Sequence, residues 1–271
     1  MLCHAARIRL VIFDWAGTTV DHGSQAPLMP FVRAFARRGV EITLEEARRP
    51  MGLNKKDHIR ALLQLPDVSR RWRERHESEA AESDIDDLYH HFMQLQLDVI
   101  DNFTRLVPEL LDVLGVLRSR GIAIGASTGY FRAAAERVYR AAAAQGYRPD
   151  HCVCAEEVPA GRPAPWMVFR IMEALGHFPP AVVVKVGDTI PDIDEGRAAG
   201  AWSVGVLRSS SLVGCTEEEW NALPRAEQVG RLTNCREQLL AAGAHAVVET
   251  LAELPAVLDD LNARLERGEK P

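Results

Sequence analysis

Long apolar runs are missing from this 271-residue chain. No segment approaches the roughly 20 residues that cross a bilayer, and Arg7 and Arg9 interrupt the first stretch before Val11-Ile12-Phe13. The expectation is a soluble, cytoplasmic protein with no membrane partner and no secretory signal. Cysteine is sparse as well. The five present, Cys3, Cys152, Cys154, Cys215 and Cys235, form no CxxC or histidine-spaced pattern, which argues against a structural zinc motif and fits a reducing compartment. A basic stripe is also absent: the net charge is −6 and the lysines and arginines are dispersed, so nucleic acid finds no matching surface and a small-molecule partner is expected. No internal repeat occurs, and the short alanine runs at 133–135 and 141–144 are simply good helix formers.

What is present is a chain 47% apolar, long enough to bury a sizeable core. Short β-branched runs at Leu10-Phe13, Ile122-Ala126, Val182-Val186 and Val204-Leu207, with weaker ones at Cys152-Cys154 and Ala246-Val248, are each followed by a break and a helical pattern. Strands alternating with amphipathic helices predict an α/β fold with a parallel sheet covered on both faces. Ligands of such sheets bind beyond the carboxyl ends of the strands, where Asp14, Thr128 and Asp188 fall. The alternation fails between about His22 and Asn102. There Leu28, Phe31, Val32 and Phe35, and later Leu88, Phe92, Leu95 and Val99, keep helical spacing without convincing strands. This predicts a helical cap inserted after the first strand, with core domain segments at 1–21 and 103–271 and the cap at 22–102.

Two strand ends carry the chemistry. In Phe13-Asp14-Trp15-Ala16-Gly17-Thr18-Thr19 a carboxylate leaves a buried strand beside a small residue and Gly17, so it can act as a nucleophile while nearby backbone N–H groups bind phosphate oxygens. Val186-Gly187-Asp188-Thr189-Ile190-Pro191-Asp192 repeats the arrangement, and two such carboxylates can share one hard cation, with Mg²⁺ preferred beside a phosphate. Thr128, Gly129 and Arg162 add a hydroxyl, an N–H and a guanidinium suited to a transferring phosphoryl group. In chain order, Asp14, Thr128, Arg162 and Asp188 resemble the four-part signature of the haloacid dehalogenase superfamily. That resemblance implies a Rossmann-like core with an inserted α-helical cap.

Two departures sharpen the expectation. The superfamily commonly has lysine where this chain has Arg162. Its phosphatases usually carry a second Asp where this chain has Ala16, and that acid protonates a leaving oxygen; without it an ester substrate loses roughly 10²–10⁴ in rate. The cap offers another way to stabilise a leaving group in Pro50-Met51-Gly52-Leu53-Asn54-Lys55-Lys56-Asp57-His58. A neutral lysine condenses with an aldehyde to an imine, an electron sink that lets a C–P bond break without protonating any oxygen.

With Gly129-Tyr130, Val158-Pro159-Ala160-Gly161-Arg162-Pro163 and Lys185-Val186-Gly187-Asp188-Thr189, these segments resemble the phosphonoacetaldehyde hydrolase (phosphonatase) family from about residue 8 to 260. The resemblance implies a phosphonate substrate, Asp14 as nucleophile and Lys55 as imine former. It further implies Mg²⁺ on Asp14, the Ala16 carbonyl and Asp188, with Asp192 helping through water. Thr128, Gly129 and Arg162 would hold the phosphoryl oxygens, Met51, His58 and Tyr130 would shape the pocket, and two caps would pair in a homodimer. Lys56 is expected to be a charge that lowers the pKa of Lys55. The competing expectation is a phosphatase or phosphomutase of the superfamily acting on a small phosphate ester, which Ala16 disfavours.

Overall fold

The computed structural model describes residues 7–271, so Cys3 lies outside the described residues. Six strands form one parallel sheet: β1 (Leu10–Phe13), β2 (Ala123–Thr128), β3 (His151–Cys154), β4 (Val183–Gly187), β5 (Trp202–Val206) and β6 (Ala246–Val248), in spatial order β3-β2-β1-β4-β5-β6. All six apolar runs singled out from the sequence become strands, with ends displaced by a residue or two. Leu10, Val11, Ile12 and Phe13 are fully buried because β1 sits between β2 and β4 and is covered on both faces, which is why its sequence is continuously apolar rather than alternating.

That order is the Rossmann arrangement, and it reverses direction at β1. Phe13 pairs with Ala126 on one side and Val186 on the other, so the chain leaves β1, β2 and β4 at the same level and their carboxyl ends define one crevice. The covering helices are α6 (Leu110–Ser119), α7 (Arg132–Ala144), α8 (Trp166–Leu175), α9 (Ile190–Ala198), α10 (Glu217–Ala222), α11 (Arg225–Ala241) and α12 (Leu254–Glu266). Local signals set their starts. Thr216 accepts from the backbone N–H of Glu219 while Glu219 reaches back to Thr216, and Thr189 with Asp192 caps α9 in the same way.

Between β1 and α6 come five α-helices, a 3₁₀ turn (Ile100–Phe103) and no strand among the described residues: α1 (Leu28–Arg37), α2 (Leu44–Arg48), α3 (Lys55–Gln64), α4 (Pro66–His76) and α5 (Glu82–Val99). Leu28, Phe31, Ala34 and Phe35 of α1 are buried, as are Leu88 and Phe92 of α5; the Phe31 and Phe92 rings stack with centroids 4.1 Å apart. α1 packs on α5, and α3 packs on α4 and α5. No helix is long and apolar enough to cross a membrane among the described residues.

Candidate active site

Asp14 is the first residue after β1, and its N–H still completes the sheet by donating to the Val186 carbonyl at 2.9 Å. Its carboxylate is therefore held by backbone, not by a flexible loop. Asp188 follows β4 directly, and the carboxylates of Asp14, Asp188 and Asp192 converge so that one oxygen from each lies within 4.8 Å of the others. Asp188 receives the Thr18 hydroxyl at 3.1 Å and the Ser211 N–H at 2.8 Å, which fixes its plane. Gly17 is needed beside it: its φ is +86°, and a Cβ there would stand 2.5 Å from an Asp188 oxygen.

The three acids are not equivalent. Asp192 accepts from Lys185 Nζ at 2.7 Å and from the Thr189 hydroxyl at 2.5 Å, and it lies 3.0 Å from Arg162. Burial pushes its carboxyl up, but Arg162 and Lys185 outweigh that and hold it below the usual carboxylate range. For Asp188, burial and then the neighbouring Asp14 drive the carboxyl well above that range; Asp14 is raised by its burial too, although Arg162 opposes the shift. Asp14 shares Arg162 with Asp192 and Glu195, and Asp188 faces Asp14 without an ion pair of its own among the described residues, so the two buried carboxylates form an oxygen donor set short of positive charge. A divalent metal ion fits that set through Asp14 and Asp188, with Asp192 tied up in its own ion pairs and suited only to an indirect role.

Over the carboxyl ends of the strands lies a cavity of about 20 Å³, lined by Asp14, Ala16, Thr128, Gly129, Tyr130 and Arg162 from the sheet side. Met51, Gly52, Leu53 and Lys55 close it from the helical side. Asn54 caps α3 by accepting from the Asp57 N–H at 2.9 Å, and this start aims Lys55 of the first turn into the cavity. Burial brings the Lys55 ammonium down to about 8, with Asp14 the main opposing influence; Nζ stands 5.3 Å from the centre of the Tyr130 ring. Lys56 points elsewhere. It pairs with Glu82 at 3.1 Å and Asp86 at 2.5 Å on α5, so the low pKa of Lys55 comes from burial and not from its neighbour.

Most residues singled out in the sequence meet here, but two take other positions and a third has its donors drawn to protein partners. The Gly17 N–H donates to the Val20 and Asp21 carbonyls at 2.8 and 3.1 Å, so it is occupied by the turn and not turned toward a phosphate. His58, fully buried, bonds through Nε2 to the Ala47 carbonyl at 2.9 Å and stacks on Phe31; it is not part of the cavity wall, because α3 turns it toward the helical core. Arg162 does line the cavity, yet its donors are largely engaged: NH2 donates to Asp14 Oδ1 at 2.6 Å and the Ser127 carbonyl at 2.9 Å, and Nε to Glu195 at 3.0 Å. Sequence reasoning passed over Ser127 and Glu195 and quoted Lys185 in a motif without giving it a role; all three are buried. A signal existed for Glu195, which lies three residues after Asp192 and so shares its face of α9.

Comparison with known proteins shows the family. A family model described as haloacid dehalogenase-like hydrolase matches residues 8–200. A phosphonoacetaldehyde hydrolase of Klebsiella pneumoniae is 47% identical over 267 residues, 98% of this chain and 99% of that protein. Another of Bacillus cereus is 43% identical, covering 94% and 97%. Among solved structures, a phosphonoacetaldehyde hydrolase-like protein from Oleispira antarctica superposes with a TM-score of 0.96 at 38% identity, covering 98% of this chain and 97% of that one. The chain belongs to the haloacid dehalogenase-like hydrolases and, within them, to the phosphonoacetaldehyde hydrolase family.

Proposed function

We propose that this protein hydrolyses the C–P bond of phosphonoacetaldehyde to acetaldehyde and orthophosphate, using a Lys55 imine and an aspartyl phosphate on Asp14. The observation that carries the reading is the meeting of a buried lysine of lowered pKa and a strand-end carboxylate in one cavity where position 16 offers no acid. In the neutral form Lys55 adds to the aldehyde and expels water. Protonated, the imine accepts the electron pair of the breaking C–P bond as an enamine, while the phosphorus bonds to an Asp14 oxygen. Water then releases phosphate from Asp14, and protonation of the enamine carbon followed by imine hydrolysis returns acetaldehyde and the free lysine.

Asp14, the Ala16 carbonyl and Asp188 would hold Mg²⁺, with Asp192 helping through water, and the ion would supply positive charge that offsets repulsion between Asp14 and the phosphonate. Thr128 and Gly129 contact the phosphoryl oxygens in this reading, and Met51 and Tyr130 enclose the imine. Residues 22–102 act as the cap over a 1–21 and 103–271 core, two caps pair in a homodimer, and the enzyme works in the cytoplasm. The test is to follow acetaldehyde and phosphate release from phosphonoacetaldehyde with Mg²⁺, then to add borohydride and map the modified peptide. We expect reduction to label Lys55. A label on Lys56, or turnover with no label at all, would overturn the imine.

A further inference from the structure

An arginine in place of the usual lysine brings five donors in a rigid plane, and that plane has to be set before it is useful. Here it is set from behind. Glu195, fully buried on α9, accepts from Arg162 Nε at 3.0 Å and from the Ser127 hydroxyl at 3.3 Å through the same oxygen, which also lies 3.6 Å from Lys185 Nζ. Lys185 in turn holds Asp192 at 2.7 Å, and Asp192 lies 3.0 Å from Arg162 NH1. The guanidinium is thus gripped at all three nitrogens, by Glu195 at Nε, Asp192 at NH1 and Asp14 at NH2.

We propose that Glu195 is a positioning residue for the reaction: by holding Nε, and Lys185 beside it, Glu195 orients Arg162 so that NH2 engages Oδ1 of Asp14 and leaves Oδ2 to attack phosphorus. A lysine at position 162 has no Nε and could not be oriented in this way. The arginine and the glutamate therefore work as a pair. Glu195 does not touch substrate; it acts through Arg162, and a misplacement of about 1 Å there costs on the order of 10² in rate.

This inference rests on Asp14 being the nucleophile, and the experiment separates the two claims. Glu195→Gln keeps size and an acceptor oxygen but loses the charge; Glu195→Asp keeps the charge but withdraws it from Nε. Each should lower kcat roughly tenfold or more with KM changed less than about threefold, in protein whose circular dichroism matches the wild type. In an Arg162→Lys background, Glu195→Gln should cost less than about threefold further, because the bond it breaks is already gone. Wild-type kcat in both single variants, a rise in KM alone, or equal cost of Glu195→Gln in both backgrounds would overturn the positioning role. Rapid turnover by Asp14→Asn would instead remove the nucleophile on which the argument stands.

Discussion

At the scale of single residues, two neighbours with the same side chain have opposite fates. Lys55 and Lys56 are adjacent on α3, about 100° apart around its axis, and only one can face the cavity. Nothing in the pair itself says which; the choice depends on where the helix lies, with Glu82 and Asp86 of α5 drawing off Lys56. Burial then sets the chemistry of Lys55. Because its pKa falls from 10.5 to about 8, the reactive amine is scarce below that pH and dominant above it. Borohydride trapping of acetaldehyde on Lys55 should therefore speed up as pH rises through about 8, and a midpoint near 10.5 would show the lysine to be solvated. Ala16 is the second residue where identity decides reaction type. It lines the cavity beside Asp14 and Lys55, so Ala16→Asp adds an anion that stabilises the ammonium and repels a phosphonate. C–P cleavage should drop roughly tenfold or more, a barrier rise of about 1.4 kcal/mol, and slight phosphate-ester hydrolysis could emerge. Unchanged C–P cleavage in the variant would detach the alanine from the imine mechanism.

Elements were the most legible level of this chain, and their spacing in space the least. The six strands show in the sequence because burial on both faces demands unbroken β-branched runs, and α1 and α5 show because one face of each is buried. Asp14, Thr128 and Asp188 were found by the rule that sheets bind at strand ends. The network of Ser127, Lys185 and Glu195 was not, since a buried polar residue looks like any other polar letter until its partners are known. Equally hidden was the closeness of the loop before α3 to the sheet. A Cβ at Gly129 would stand 2.9 Å from the Leu53 carbonyl oxygen, and one at Gly52 would strike the Thr189 side chain. Backbone against backbone leaves no flexible atom to yield, so Gly129→Ala must push the 51–54 loop off the crevice. Its backbone is not in the left-handed region, so the fold tolerates alanine. KM should rise and kcat/KM fall roughly tenfold or more while the melting temperature stays within a few degrees; wild-type kinetics would mean that this approach does not matter to the reaction.

For the whole molecule, the small size of the cavity carries a consequence. About 20 Å³ is close to what a single water needs, so the expected course is that the helical segment and the sheet part to admit a phosphonate with its aldehyde arm and close again before reaction. Asn54 and Gly161 meet across that boundary. A Cβ at Gly161 would lie 3.2 Å from the Asn54 Cβ, a few tenths of an ångström short of the roughly 3.5–4.5 Å range of a disulfide, so a small shift brings the pair into range, and Gly161 has no positive φ that forbids a side chain. The double variant Asn54→Cys/Gly161→Cys can therefore be oxidised into a tether across this boundary only if the two loops meet in solution, which mass spectrometry would register. Losing the Asn54 cap weakens the start of α3, so the reduced double variant is the reference, not the wild type. Oxidation should abolish most turnover of phosphonoacetaldehyde, and dithiothreitol should restore it to the level of the reduced reference. The native cysteines at 154, 215 and 235 are buried and should stay out of the exchange, and peptide mapping of the oxidised variant checks the half-buried Cys152. Full activity in protein shown to carry the tether would mean that substrate reaches Asp14 and Lys55 by a path that leaves these two loops together.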